Sequence, residues 1–62
     1  MSLHADLASL QSTLDQALER LSDAAESIKG TELDDHVGDL YEIERHLRAA
    51  NRRLSRTVGD LS

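Results

Sequence analysis

Residues 32–61, ELDDHVGDLYEIERHLRAANRRLSRTVGDL, decide the fold, because Leu33, Leu40, Leu47, Leu54 and Leu61 recur in them every seven residues. Val37, Glu44, Asn51 and Val58 fall between these leucines, so the stretch reads as a heptad with leucine at d and those four residues at a. Such a seam belongs to a helix that packs on another helix.

Immediately before it stands the clearest punctuation in the chain, Lys29-Gly30-Thr31-Glu32-Leu33-Asp34. Gly30 suits the left-handed residue that ends a helix, and Lys29 suits the negative end of the helix dipole. Thr31 suits an N-cap, with Asp34 three residues on as a shortened capping box. Upstream, Leu3, Leu7, Leu10, Leu14, Leu21 and Ile28 follow helical spacing behind Ser2, a good N-cap. In heptad terms a is Leu7, Leu14, Leu21 and Ile28, and d is Leu3, Leu10, Ala17 and Ala24. Carrying this register through Gly30 as one long helix would fill the second seam with Asp35, Glu42, Arg45, Arg52 and Arg56. The phase therefore breaks where the punctuation stands. The spacing predicts an all-α fold, a single domain over residues 1–62: an antiparallel, coiled-coil-like hairpin with helix one at about 3–29, a turn at 30–31 and helix two at about 32–58, ended by Gly59.

Folding about Gly30-Thr31 pairs Ile28 with Leu33, Ala24 with Val37, Leu21 with Leu40, Ala17 with Glu44, Leu14 with Leu47, Leu10 with Asn51, Leu7 with Leu54 and Leu3 with Val58; the numbers in every layer add to 61. The expected core is thus Leu7, Leu14, Leu21, Ile28, Leu33, Leu40, Leu47 and Leu54. Apolar residues remain on the flanks, among them Leu18, Ala25, Tyr41, Ile43 and Ala50. These widen the seam beyond a two-helix contact, so Leu18, Tyr41, Ile43 and Ala50 are the expected dimer interface of two hairpins forming a four-helix bundle. Gly38, at an outward position, reads either as a defect or as a restart of the helix with Asp39 as N-cap.

Composition points the same way. A chain of 62 residues buries only about 60 % of the surface that it exposes when unfolded. This one has no cysteine for disulfides and no Cys/His cluster for zinc, which leaves oligomerisation as the remaining source of stability. No apolar run is long enough to cross a bilayer, and the N-terminus lacks the layout of a signal peptide, so the expected setting is the cytoplasm and no membrane partner is expected. A net charge of −5 disfavours indiscriminate nucleic-acid binding by the whole molecule.

The charges are segregated. Residues 17–44, the loop end of the hairpin, carry nine acids and two bases, or −7; the rest carries three acids and five bases, or +2. Arg45, Arg48, Arg52 and Arg56 form a row at helical spacing, with Arg53 beside it, and guanidinium forks of this kind take carboxylates or phosphates. Glu42, Glu44 and Asp60 are placed to pair with Arg45, Arg48 and Arg56. His4, His36 and His46 lack the Glu-x-x-His spacing of carboxylate-bridged metal bundles, since Leu33 and Ile43 stand three residues before His36 and His46. No nucleophile-base arrangement or glycine-rich phosphate loop is present. Asn51 at a reads as a register-setting polar residue or as an edge residue opposite Leu10. The chain is therefore expected to be a non-enzymatic oligomerisation or protein-interaction module without cofactor or metal. Its expected partners are a second copy of itself and a protein with an acidic surface that meets the five arginines. The alternative is a small nucleic-acid-binding regulator that uses the arginine row.

Overall fold

A computed structural model describes residues 2–61 as two long helices joined by a compact turn. Helix α1 spans Leu3–Ile28 and helix α2 spans Val37–Leu61, with one turn of 3-10 helix at Asp34–His36 between them. The helices lie against one another as a hairpin, a flat rod of 46 × 17 × 10 Å. No helix among the described residues is long and apolar enough to cross a membrane.

α1 opens at Ser2, whose backbone is extended and whose hydroxyl oxygen accepts the Ala5 N–H at 3.0 Å, so one orphan donor of the first turn is satisfied. It closes at Lys29, and Gly30 follows at φ +74°, the left-handed conformation in which glycine alone meets no Cβ penalty. Thr31 then works in both directions. Its hydroxyl donates to the Ile28 carbonyl at 2.6 Å and accepts the Leu33 N–H at 3.1 Å. The Asp34 carboxylate reaches back to the Gly30 N–H at 2.8 Å.

These local bonds move the start of the second helix. Side-chain oxygens that satisfy nearby N–H groups compete with the helical ladder, so residues 31–36 form turns and 3-10 helix rather than the first turns of α2. α2 begins at Val37, not near Glu32, and Leu33 stays in the turn at 50 % exposure instead of joining the core. Gly38 lies in the first turn of α2, beside Asp39, whose charge suits the positive end of the dipole. Gly59 does not end the helix: α2 runs through it to Leu61, because Gly30 alone among the described glycines takes a positive φ.

The later start shifts the register by one helical turn. Ile28 ends α1 and Val37 begins α2, and counting back along both helices from these ends sets the inward-facing positions in the layers Ile28/Val37, Ala25/Leu40, Leu21/Glu44, Leu18/Leu47, Leu14/Asn51, Gln11/Leu54 and Leu7/Val58. Numbers in these layers add to 65 rather than 61. A direct bond agrees: the Asn51 amide donates to the Asp15 carboxylate across the hairpin at 2.7 Å. On α2 the seam uses the anticipated a and d residues. On α1 it keeps Leu7, Leu14, Leu21 and Ile28 and takes in the next column, His4, Gln11, Leu18 and Ala25, while Leu3, Leu10 and Ala24 are exposed and Ala17 stays half-buried at the edge. Ala25 is fully buried, whereas Ala24 and Leu10 are exposed.

Candidate interaction surface

The hairpin has two broad faces, and the columns flanking the seam decide what each carries. On α1 the flanks are Leu3-Leu10-Ala17-Ala24 on one side and Ala8-Asp15-Ser22-Lys29 on the other. On α2 they are Ile43-Ala50-Thr57 and Tyr41-Arg48-Ser55. Two contacts between the arms assign the sides. Asp15 meets Asn51, and the Lys29 ammonium stands 5.4 Å from the centre of the Tyr41 ring. Asp15, Lys29, Tyr41 and Arg48 therefore share one face, and Leu3, Leu10, Ala17, Ala24, Ile43 and Ala50 share the other.

That second face is apolar and open. Leu3 is 62 % exposed, Leu10 48 % and Ile43 45 %. Its middle is built from Ala17 and Ala50, and a shallow hollow runs beside Ala17, Leu21 and Arg20. Of the residues expected at a dimer interface, Ile43 and Ala50 lie here. Leu18 is instead half-buried in the hairpin seam, and Tyr41 is on the opposite face. Leu10 and Leu3 take their place, freed by the register shift. The seven-residue pattern alone left them indistinguishable from seam residues; the length of the turn was the missing information.

The opposite face is polar. Lys29 is held by Glu26 at 2.9 Å as well as by the Tyr41 ring. Tyr41 first and Glu26 second keep its ammonium protonated well above the ordinary lysine range. Arg45 pairs with Glu42 at 2.9 Å, and Arg48 pairs with Glu44 at 2.8 Å. The hydrogen bond from Arg45, with its charge, lowers the Glu42 pKa below the usual carboxylate value. Glu44 sits at a seam position with only 13 % of its side chain exposed, so Arg48 serves to neutralise a carboxylate at the edge of the core.

Arg52, Arg53 and Arg56 have no carboxylate partner among the described residues. The anticipated Arg56–Asp60 pair does not form; with the cation placed N-terminal to the acid, it is the weaker orientation at this spacing. Arg52, Ser55 and Arg56 border a second shallow hollow on the outer surface of α2. Asn51 is half-buried and is not opposite Leu10. It lies in the Leu14 layer, and its carbonyl oxygen Oδ1 is buried with no hydrogen-bond partner. Among the described residues no group of three or more His, Cys, Asp or Glu side chains converges on a point where a metal ion would sit.

The chain matches no family model, no curated protein and no solved structure.

Proposed function

We propose that this hairpin is a small, non-enzymatic oligomerisation and protein-interaction module that works by covering its apolar broad face. The observation that carries this reading is the poverty of the hairpin's own core. Ala25 is the fully buried hydrophobic residue of the described chain, no large side chain is fully buried, and Leu3, Leu10 and Ile43 stand exposed together on one face. Contiguous apolar surface rimmed by polar residues marks an interaction site, and a two-helix layer needs a second layer to form a core. Sedimentation equilibrium with circular dichroism across a dilution series tests it. The wild type is expected to be an associated, highly helical species at micromolar concentration, and Ala17→Glu is expected to lower both mass and helicity. A fully helical monomer at all concentrations would overturn the reading.

A second reading draws on the unpaired Arg52, Arg53 and Arg56. Arginines held on one helix without internal partners would take phosphates, which makes the chain a small nucleic-acid-binding regulator through that row. Titration with labelled single- and double-stranded oligonucleotides decides it. Binding that weakens with salt and is lost in Arg52→Glu/Arg53→Glu supports this reading, and no binding at low salt removes it.

A further inference from the structure

We infer that the occupant of the apolar face is a second copy of this chain, lying antiparallel, so that the acidic loop end of each hairpin covers the terminal end of the other. The inference rests on the interaction reading above and adds to it the partner and its orientation.

The first support is area. The rod's broad side has an outline of 46 by 17 Å, which bounds its projected area at about 780 Å². A stable interface takes roughly 800 Å² from each partner. A second hairpin of the same outline can therefore cover this face from end to end.

The second support is self-complementarity. A two-fold interface presents one patch to itself, so large side chains must meet small ones across the axis. Ala17 and Ala50 lie within two residues of a common level near the middle of the rod. An axis through that level lays α1 over α1 and α2 over α2 in opposite directions. Leu10 then falls over Ala24 of the other copy, Ile43 falls over Thr57, and the small Ala17 and Ala50 meet their own counterparts. The alanines let the helices approach, and each bulky residue has a short one opposite.

The third support is charge, which selects the orientation. Division of the rod at its helix midpoints puts nine acids and four bases in residues 16–48, a charge of −5, and three acids and three bases in the remainder, a charge of 0. A parallel pair would stack one −5 loop end on the other. The antiparallel pair sets each acidic half against a neutral one. Like charges placed together across an interface disfavour that arrangement, and complementary ones fix the register.

The chain contains no cysteine, so a single spin label at Glu32→Cys, exposed in the turn, reports the separation of the two loops by pulsed dipolar spectroscopy. The antiparallel pair is expected to give a separation near the 46 Å length of the rod. A separation of about 20 Å or less, as from loops at one end with helix layers 8–10 Å apart, would overturn the orientation while leaving the dimer. A monomer mass with no intermolecular coupling would overturn the interaction reading itself and the inference with it. Oxidation of Ala17→Cys supplies an independent readout. An intermolecular disulfide is expected, because residues on the two-fold axis face one another; failure to cross-link in a sample of dimer mass counts against the stated axis.

Discussion

Replacing Asn51 by leucine should stabilise the protein, and the amount follows from the surroundings of that side chain. Asn51 makes one cross-hairpin bond, to the exposed Asp15 carboxylate at 2.7 Å, and leaves its buried Oδ1 unpaired. Loss of the bond costs about 0.5–1.5 kcal/mol, and removal of an unsatisfied buried acceptor recovers about 1–3 kcal/mol. Leucine at this half-buried position facing Leu14 contributes about 1 kcal/mol more, half the value of full burial. The net gain is roughly 1–3 kcal/mol, and each kcal/mol raises Tm by about 4–8 °C in a domain of this size. Thermal and urea melts at fixed protein concentration, run as a double-mutant cycle with Asp15→Ala, provide the measurement. Asp15→Ala should be mildly destabilising in the wild type and neutral in the Asn51→Leu background. A lower Tm for Asn51→Leu, or an equal effect of Asp15→Ala in both backgrounds, would refute the burial of Oδ1 and the one-turn register shift with it. The asparagine would then be a residue that sacrifices stability for one register.

The two inner glycines should respond to alanine with opposite signs. Gly30→Ala, forced to φ +74°, should lose about 1 kcal/mol, while Gly38→Ala, helical with open space around its Cβ position, should gain about 0.5–1 kcal/mol by denaturant melts. Leu18→Ala should cost about 1–3 kcal/mol as a seam residue, against about 0.5 kcal/mol or less for Leu33→Ala in the turn; similar losses would contradict the faces assigned here. Glu42 should titrate by NMR below the ordinary glutamate range and return to it in Arg45→Gln. Since its folded-state pKa is lowered, its stabilising contribution is fully present above the unfolded value and disappears as pH falls through the folded value.

Several features were legible without coordinates because they depend on the local chain. Two helices, the reversal at Gly30, the cap at Ser2 and the a/d seam of α2 all follow from residue spacing and backbone preference. The pairing of Glu42 with Arg45 and of Glu44 with Arg48 is local in the same sense, being set by the geometry of one helix turn. The face that α1 turns inward is different. Its apolar columns, Leu3-Leu10-Ala17-Ala24, Leu7-Leu14-Leu21-Ile28 and Leu18-Ala25, are adjacent, and a heptad pattern accepts the middle column with either neighbour. That choice lay with the turn. The Thr31 hydroxyl and the Asp34 carboxylate bind backbone groups within a few residues of themselves, delay α2 to Val37 and shift its register on α1 by four residues. One turn of shift draws Leu18 and Ala25 into the seam and releases Leu10 and Ala24 to the broad face. A side-chain period recognises only position within a helix; which helix turn meets which across the hairpin is set by how many residues the connection consumes, and that number emerged only when the backbone of the turn found its hydrogen-bond partners.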